Sequence, residues 1–282
     1  MPPLWQSGAE ATGGGAGDVR LRKVPAAPAH PSLVDVRSAA HTRRVAGTFK
    51  TEAVVLRSIR FGEADRVLHL YSEDRGRLGA VAKGVRRVRS RLGGRLEPLS
   101  RVKLVLHQGR GELCTVSAVD TVCAYGDVRE RRESLERATQ ACDAMLRLFD
   151  SAEPNRPAYN LLCNELALLD ADPGATGRAQ ALAFSLKLLL AAGFAPELAS
   201  CASCGESEHL SAFSPAAGGV VCDGCEAGSF PLEPGAHEFL TLALARPLAE
   251  APAAPGRLLA QADRAIAETL EHHAHVRLRR VA

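Results

Sequence analysis

Four cysteines set in two short pairs carry the most specific chemistry in this chain. Cys201 and Cys204 form one Cys-x-x-Cys knuckle and Cys222 and Cys225 a second, with 17 residues between them. Two such knuckles at that separation fit a tetrahedral, four-thiolate site for one zinc ion. All four positions are filled by protein, so no coordination position is open to water or substrate, and the metal would be structural. A redox-active pair or disulfides are the competing readings, and a reducing compartment disfavours both. HLSAFSPAAGGVV, residues 209–221, reads as a hairpin that brings the two knuckles together, and Gly205 lets the first knuckle turn tightly.

A second stretch, VAKGVRRVRSRLGGRLEPLSRVK at 81–103, concentrates positive charge. Lys83, Arg86, Arg87, Arg89, Arg91, Arg95, Arg101 and Lys103 stand against one acid, Glu97. The segment is therefore +7 in a chain of +3, and the remaining residues sum to −4. Such concentration points to a polyanionic partner, and the planar fork of arginine suits phosphate oxygens and stacks on bases. The glycines at 84, 93 and 94 argue against a helix and for a mobile loop that lies close to a ligand backbone. A solvated loop and a localisation tract are the alternatives. Flanking strand patterns, in place of low-complexity sequence, favour nucleic acid.

Other clusters point to no reaction. The chain has no P-loop, nucleophile elbow, zincin helix or dinucleotide fingerprint. Glu63 and Asp65 stand beside Arg66 on a turn and read as ion-paired to it. His272, His273 and His275 read as a solvated helix face, and Arg277, Arg279 and Arg280 as cations opposing the dipole of a closing helix. A zinc enzyme would need an open coordination position, which the cysteine quartet does not leave.

These residues need a scaffold, and the pattern around them supplies one. At 282 residues and 46% apolar content, the chain can bury two modest cores, and no apolar run reaches membrane-spanning length. Residues 1–47 are rich in Gly, Ala and Pro and read as a disordered or mis-assigned extension. From residue 48 five short strands follow: 51–57, 67–71, 78–83, 101–107 and 114–120, with SIRFGEAD as a turn-rich connection. In the fourth, Val102, Leu104 and Leu106 alternate with Arg101, Lys103 and His107. Five strands with one long loop between the third and fourth match a closed OB-type barrel, a fold that holds single strands in a basic groove.

After Tyr125 the period turns helical. Leu135, Ala138, Cys142, Met145 and Phe149 make one stripe, and Tyr159, Leu162, Leu166 and Leu169 the next. Residues 179–192 are almost wholly apolar and read as a buried helix, with Lys187 snorkelling outward. A last helix spans 257–282. Cys114, Cys123, Cys142 and Cys163 read as reduced packing residues. The fold class is α+β: a five-stranded OB-type β-barrel over 48–125, then a helical domain over 126–198 and 231–282 carrying a four-cysteine zinc module at 199–230. No secretory leader opens the chain, so a cytoplasmic setting is expected.

Several of these segments together resemble the bacterial RecO family. GEADR at 62–66, GRLGAVAKGVRR at 76–87 and SRLGGRLEP at 90–98 are similar to its N-terminal domain. LLLAAGFAPELASCASCG at 188–205 and FSPAAGGVVCDGC at 213–225 are similar to its zinc-bearing members, and His273 with Leu278 and Arg279 extends the likeness faintly. The resemblance covers roughly 48–280, and the first 47 residues and the closing HHAHVRLRR depart from it. It implies a non-enzymatic mediator of homologous recombination in DNA repair, nucleoid-associated and independent of ATP. Such proteins bind single- and double-stranded DNA and anneal complementary strands. They work with RecR and in functional connection with RecF. They load RecA onto strands coated by single-stranded-DNA-binding protein (SSB), whose acidic, hydrophobic C-terminal tail they recognise. An RNA-binding OB protein and a scaffold that binds no DNA are the alternatives. The barrel is poor in aromatics, with Phe61 and Tyr71 as candidates for stacking, so phosphate contacts should dominate binding.

Overall fold

The computed structural model describes residues 47–87, 90 and 92–278. The proposed extension at 1–47 thus lies, but for its last residue, outside the described residues. Five strands close into a barrel: β1 (Gly47–Phe61), β2 (Asp65–Ser72), β3 (Gly76–Ala82), β4 (Arg101–Gln108) and β5 (Cys114–Cys123). β1 is long enough to pair with two neighbours. Its first half, Gly47–Val54, runs antiparallel to β4, and Ala53–Phe61 runs antiparallel to β2. β3 and β5 meet in parallel at Ala80 with Cys114 and Val81 with Thr115, which completes the order β1-β2-β3-β5-β4. This is the closed five-stranded barrel expected of an OB fold.

Alternation decides the barrel's core. Val102, Leu104 and Leu106 are buried inside with Ala53, Val55, Leu68, Leu70, Leu78 and Ala80, while Lys103 and His107 face outward. A buried leucine of this kind contributes about 2–3 kcal/mol. A β-bulge between Val55 and Arg57 breaks the register of β1. Val54 and Leu56, on the face of β1 opposite Ala53 and Val55, join the core of the helices.

The first strand is longer than its sequence pattern predicts. Ser58–Phe61 belong to β1, because Ser58 pairs with Leu68 and Ile59 with Val67. Ile59 and Phe61 alternate with Ser58 and Arg60 but face outward, so their apolar side is not the core side of the barrel. Gly76 opens β3 with φ +59, and a Cβ there would lie 2.1 Å from the carbonyl oxygen of Glu153. Only glycine allows the β2–β3 turn to press this closely on the chain between two helices.

The helical body comprises α1 (Gly126–Glu130), α2 (Arg132–Leu148), α3 (Arg156–Ala171), α4 (Arg178–Ala191), α5 (Pro234–Ala245) and α6 (Gly256–Thr269). Asn155 caps α3 by accepting from the Ala158 N–H at 3.0 Å, and its amide donates to the Ala191 carbonyl at the end of α4. Lys187 does not snorkel outward as its position suggested. Its Nζ donates to the Leu244 carbonyl at 3.0 Å, placing a cation at the C-terminal end of α5. The last helix is also shorter than expected. One wider turn covers Leu270–Ala274, His275 adopts a left-handed conformation (φ 54), and 275–278 follow without regular structure. Arg277 pairs with Glu271 after the helix has ended, and Arg279 and Arg280 lie outside the described residues.

Between α4 and α5 a small sheet forms from β6 (Leu210–Ser214), β7 (Gly219–Cys222) and β8 (Phe230–Pro231). Its two faces have separate tasks. Phe213, Val220 and Phe230 join the core of the helices, while Ala212 and Val221 pack with Cys201 and Cys222. Among the described residues no helix is long and apolar enough to cross a membrane.

Candidate nucleic-acid interface and metal centre

The antiparallel β6–β7 hairpin brings the two knuckles together as their spacing predicted. The Sγ atoms of Cys201, Cys204, Cys222 and Cys225 all lie within 4.8 Å of one another. Cys204 and Cys222 Sγ are 3.7 Å apart, against about 3.8 Å for two sulfurs of a tetrahedron with bonds near 2.3 Å. Gly205 follows the first knuckle with φ +82. Backbone N–H groups of Cys222, Cys204 and Ser203 lower the Cys201 thiol, while hydrogen bonding with the neighbouring thiols raises Cys225. Four converging sulfurs with N–H donors turned toward one of them suit a metal ion that prefers thiolates. The other cysteines behave as packing residues: Cys114, Cys142 and Cys163 are buried, and burial pushes Cys142 up to about 12.

The basic segment leaves β3 at Lys83 and enters β4 at Arg101 without forming a helix among its described residues. It is tied down at both ends, which its glycines did not suggest. At the start, the Gly84 N–H donates to Asp65 Oδ1 at 2.7 Å and the Arg86 N–H to the Ala64 carbonyl at 3.0 Å. At the finish, Arg66 Nη1 holds both oxygens of Glu97, at 3.0 and 3.1 Å. Arg66 thus serves the only acid of the segment, not Glu63 or Asp65 as expected. Val85 and Leu96 are buried in the barrel core, with Leu92 packed against it.

Solvent receives what remains. Lys83, Arg86 and Arg87 are exposed, and no ion pair engages them among the described residues. Arg95 is exposed too, with Nη1 donating to the Val119 carbonyl at 3.0 Å. Arg89 and Arg91 lie outside the described residues. Lys103 is exposed on the outer face of β4, in register with Glu52 on one side and Asp120 on the other. Arg101 is the exception in the set. Its guanidinium pairs with Glu52 at 2.5 Å, and Tyr159 donates to the same carboxylate at 3.1 Å. Burial is the largest influence on Arg101 and opposes its charge, but the Glu52 hydrogen bond and the neighbouring Tyr159, Cys163 and Glu52 together outweigh it and raise the pKa.

Of the two aromatic candidates only Phe61 is available. Tyr71 is 1% exposed and stacks edge-on against Phe149 in the core of the helices, with centroids 5.7 Å apart. Phe61 is 58% exposed at the end of β1. Ile59 and Leu113, also exposed, had attracted no notice in the sequence.

A closed OB-type barrel with a pinned basic loop, joined to helices that carry a four-cysteine cluster, is an α+β architecture of the OB class. The particular family follows from comparison with known proteins. The family model described as "Recombination protein O N terminal" matches residues 46–125, and "Recombination protein O C terminal" matches 130–281. The chain belongs to the RecO family. It is 39% identical to the DNA repair protein RecO of Rubrobacter xylanophilus over 232 residues, covering 79% of this chain and 92% of the relative. With the DNA repair protein RecO of an Anaeromyxobacter species it shares 33% over 239 residues, 81% of this chain and 92% of the relative. A RecO of Bifidobacterium animalis matches at 38% over 179 residues, 62% of this chain and 72% of the relative.

Proposed function

We propose that this protein is a recombination mediator in DNA repair that binds single and double strands and anneals complementary ones. The observation that carries the reading is the placement of Lys83, Arg86 and Arg87: exposed, without an ion pair among the described residues, and held on an OB barrel by a loop anchored at both ends. Two polyanionic strands repel each other. Cations laid along one strand release its counterions and let the second approach, after which base pairing drives the reaction. No covalent step is needed, so the protein acts without being an enzyme. Arg89, Arg91, Arg95 and Lys103 extend the cationic surface in this reading, while Arg101 stabilises the joint with the helices through Glu52.

The 48–125 segment is the DNA-binding unit, and the helices with their small sheet offer the surface for protein partners. In keeping with the family, those partners are RecR and the SSB tail, with RecA loading as the outcome and RecF as a functional associate, in the cytoplasm at the nucleoid. Cys201, Cys204, Cys222 and Cys225 hold one structural zinc ion, whose role is to fix the hairpin on the helical body. The test is annealing of two complementary oligonucleotides coated with the cognate SSB, with and without the protein and without ATP. Acceleration that disappears when Lys83, Arg86 and Arg87 are replaced by alanine is the expected result. A folded, metal-loaded protein that gives no acceleration would refute the mediator reading, and stronger binding to RNA than to single-stranded DNA would move the function there.

A further inference from the structure

The four cysteines converge, but solvent reaches them unequally. Cys201 is 2% exposed and Cys222 8%, both packed with Ala212 and Val221, whereas Cys204 is open to solvent and Cys225 half-buried. Cys204 belongs to a run, residues 203–209, in which every residue is exposed. Apart from the sulfurs, backbone bonds secure that knuckle: the Ala202 N–H donates to the Val220 carbonyl and the Gly205 N–H to the Cys201 carbonyl, each at 2.8 Å. The other face of the same small sheet is fastened independently, because Phe213, Val220 and Phe230 lie in the core of the helices. The first knuckle can therefore open while the sheet keeps its seat.

The charge around the cysteines restricts what can reach them. In a chain rich in arginine, residues 188–245 contain no lysine or arginine at all. Glu206, Glu208, Asp223 and Glu226 flank the knuckles, and all four are exposed. Arg264 of α6 comes over the Phe230 ring at 4.0 Å, but Glu268 already pairs with it. Four thiolates around a divalent ion would leave the centre itself anionic. Such a rim repels anionic reagents and admits neutral ones. An exposed thiolate in that setting is open to a small uncharged oxidant, and its oxidation product condenses with a second thiol close by. Cys222 Sγ, 3.7 Å from Cys204 Sγ, is that second thiol.

We infer that the cysteine centre is a redox switch, with Cys204 the point of attack for neutral hydroperoxides and Cys222 the thiol that resolves it. The inference rests on the zinc reading above and adds to it a means of opening the site. The Cys204 thiolate attacks the peroxide, its sulfur gains the oxygen as a sulfenic acid, and hydroxide leaves. The Cys222 thiolate then attacks that sulfur and expels a second hydroxide as the disulfide forms. The two sulfurs give up two electrons, the peroxide takes them, and two protons from solvent complete two waters. Cys201 and Cys225 alone no longer enclose an ion, and the first knuckle is released. The test treats the zinc-loaded full chain with hydrogen peroxide, reads freed zinc with a chromogenic chelator and maps disulfides by mass spectrometry. Zinc should fall from one per chain to none as two of the eight thiols disappear into a Cys204–Cys222 bond. Dithiothreitol with added zinc should restore both, and faster hydrogen exchange should be confined to residues 199–209. Glutathione disulfide, an anionic oxidant, should free no zinc in the same period. Cys204→His, which offers a nitrogen ligand in place of the exposed sulfur, should load zinc and hold it under peroxide. If that variant does not load, the disulfide map of the wild type decides alone. Any other pairing overturns the inference, as does zinc retained after the half-buried, solitary Cys123 has been oxidised. Release by glutathione disulfide as fast as by peroxide, or loss from loaded Cys204→His at the wild-type rate, overturns it too. A chain that carries no zinc and takes up none when it is added refutes the zinc reading first, and the inference falls with it.

Discussion

Replacing Lys83, Arg86 and Arg87 with alanine removes three cations that face solvent and engage no acid among the described residues. Each should neutralise one phosphate, so the slope of log affinity against log salt should flatten by about 0.7 per cation, roughly 2 in all, for a single strand. Between 50 and 200 mM salt that corresponds to a loss of affinity smaller than the wild type's by about twentyfold. The assay is fluorescence anisotropy of a labelled oligothymidylate over a salt series. Arg101→Ala supplies the contrast. Its charge is already met by Glu52 at 2.5 Å, so the variant should change stability more than slope. An unchanged slope in the triple variant would refute the placement of the loop cations on DNA. A flattening in Arg101→Ala equal to one third of the triple effect would refute the inference from burial and pairing.

Two further predictions concern the helical body. Arg137 in α2 pairs with the fully buried Glu165 of α3 at 3.2 Å, and burial raises the Glu165 carboxyl to about 6 from 4.5. The folded state thus binds that proton more tightly than the unfolded chain, so its contribution is largest below about 4.5 and falls by about 2 kcal/mol as pH rises through 6. The difference in melting temperature between wild type and Glu165→Gln should therefore shift by about 4–8 °C between pH 4.5 and 7, and a constant difference would refute it. Arg137→Met alone should cost about 3–5 kcal/mol by leaving a buried carboxylate unpaired, and Arg137→Met with Glu165→Leu should recover most of that in chemical denaturation. At the cysteine centre, elemental analysis should find one zinc per chain. Chelation or Cys222→Ser should lower the melting temperature while Cys123→Ser does not, and equal effects would refute a metal at the quartet.

What the sequence disclosed was what local pattern determines. The alternation of Val102, Leu104 and Leu106 is fixed by the pleat, and the stripe from Ala138 to Met145 by the helix, so both appear where expected. The knuckles were legible for the same reason: each is a turn of four residues, and the hairpin between them is short. The second half of β1 was illegible because Ile59 and Phe61 are apolar and outward, against the rule that burial follows hydropathy. Tyr71 looked available for stacking, yet the face of β2 that carries it is covered by Phe149, 78 residues further on. Arg101 counted as one more cation of the basic segment, but its partner Glu52 lies 49 residues away in sequence. Composition can count charges in a loop; only the fold shows which of them are already answered.

The way the loop ends bears on what its cations can do. Leu96 is buried in the barrel core and Leu99, three residues later, in the core of the helices. Leu99 is left-handed with φ 74, a conformation that costs a branched residue about 1–2 kcal/mol and persists only where its surroundings impose it. The surroundings are specific. The Leu99 N–H donates to Val55 at 2.8 Å and the Val55 N–H to Ser100 at 2.9 Å, while Arg129 donates to Pro98 at 2.6 Å and to Ser100 Oγ at 3.0 Å. The loop therefore ends in the joint between barrel and helices, and any displacement there would disturb both cores together. Lys83, Arg86 and Arg87 stand at the other end, on backbone already fixed by Ala64 and Asp65. Their side chains can be truncated without touching either core. A change in salt dependence in those variants thus reports charge alone, whereas the same change produced at Pro98–Arg101 would report a disturbed joint.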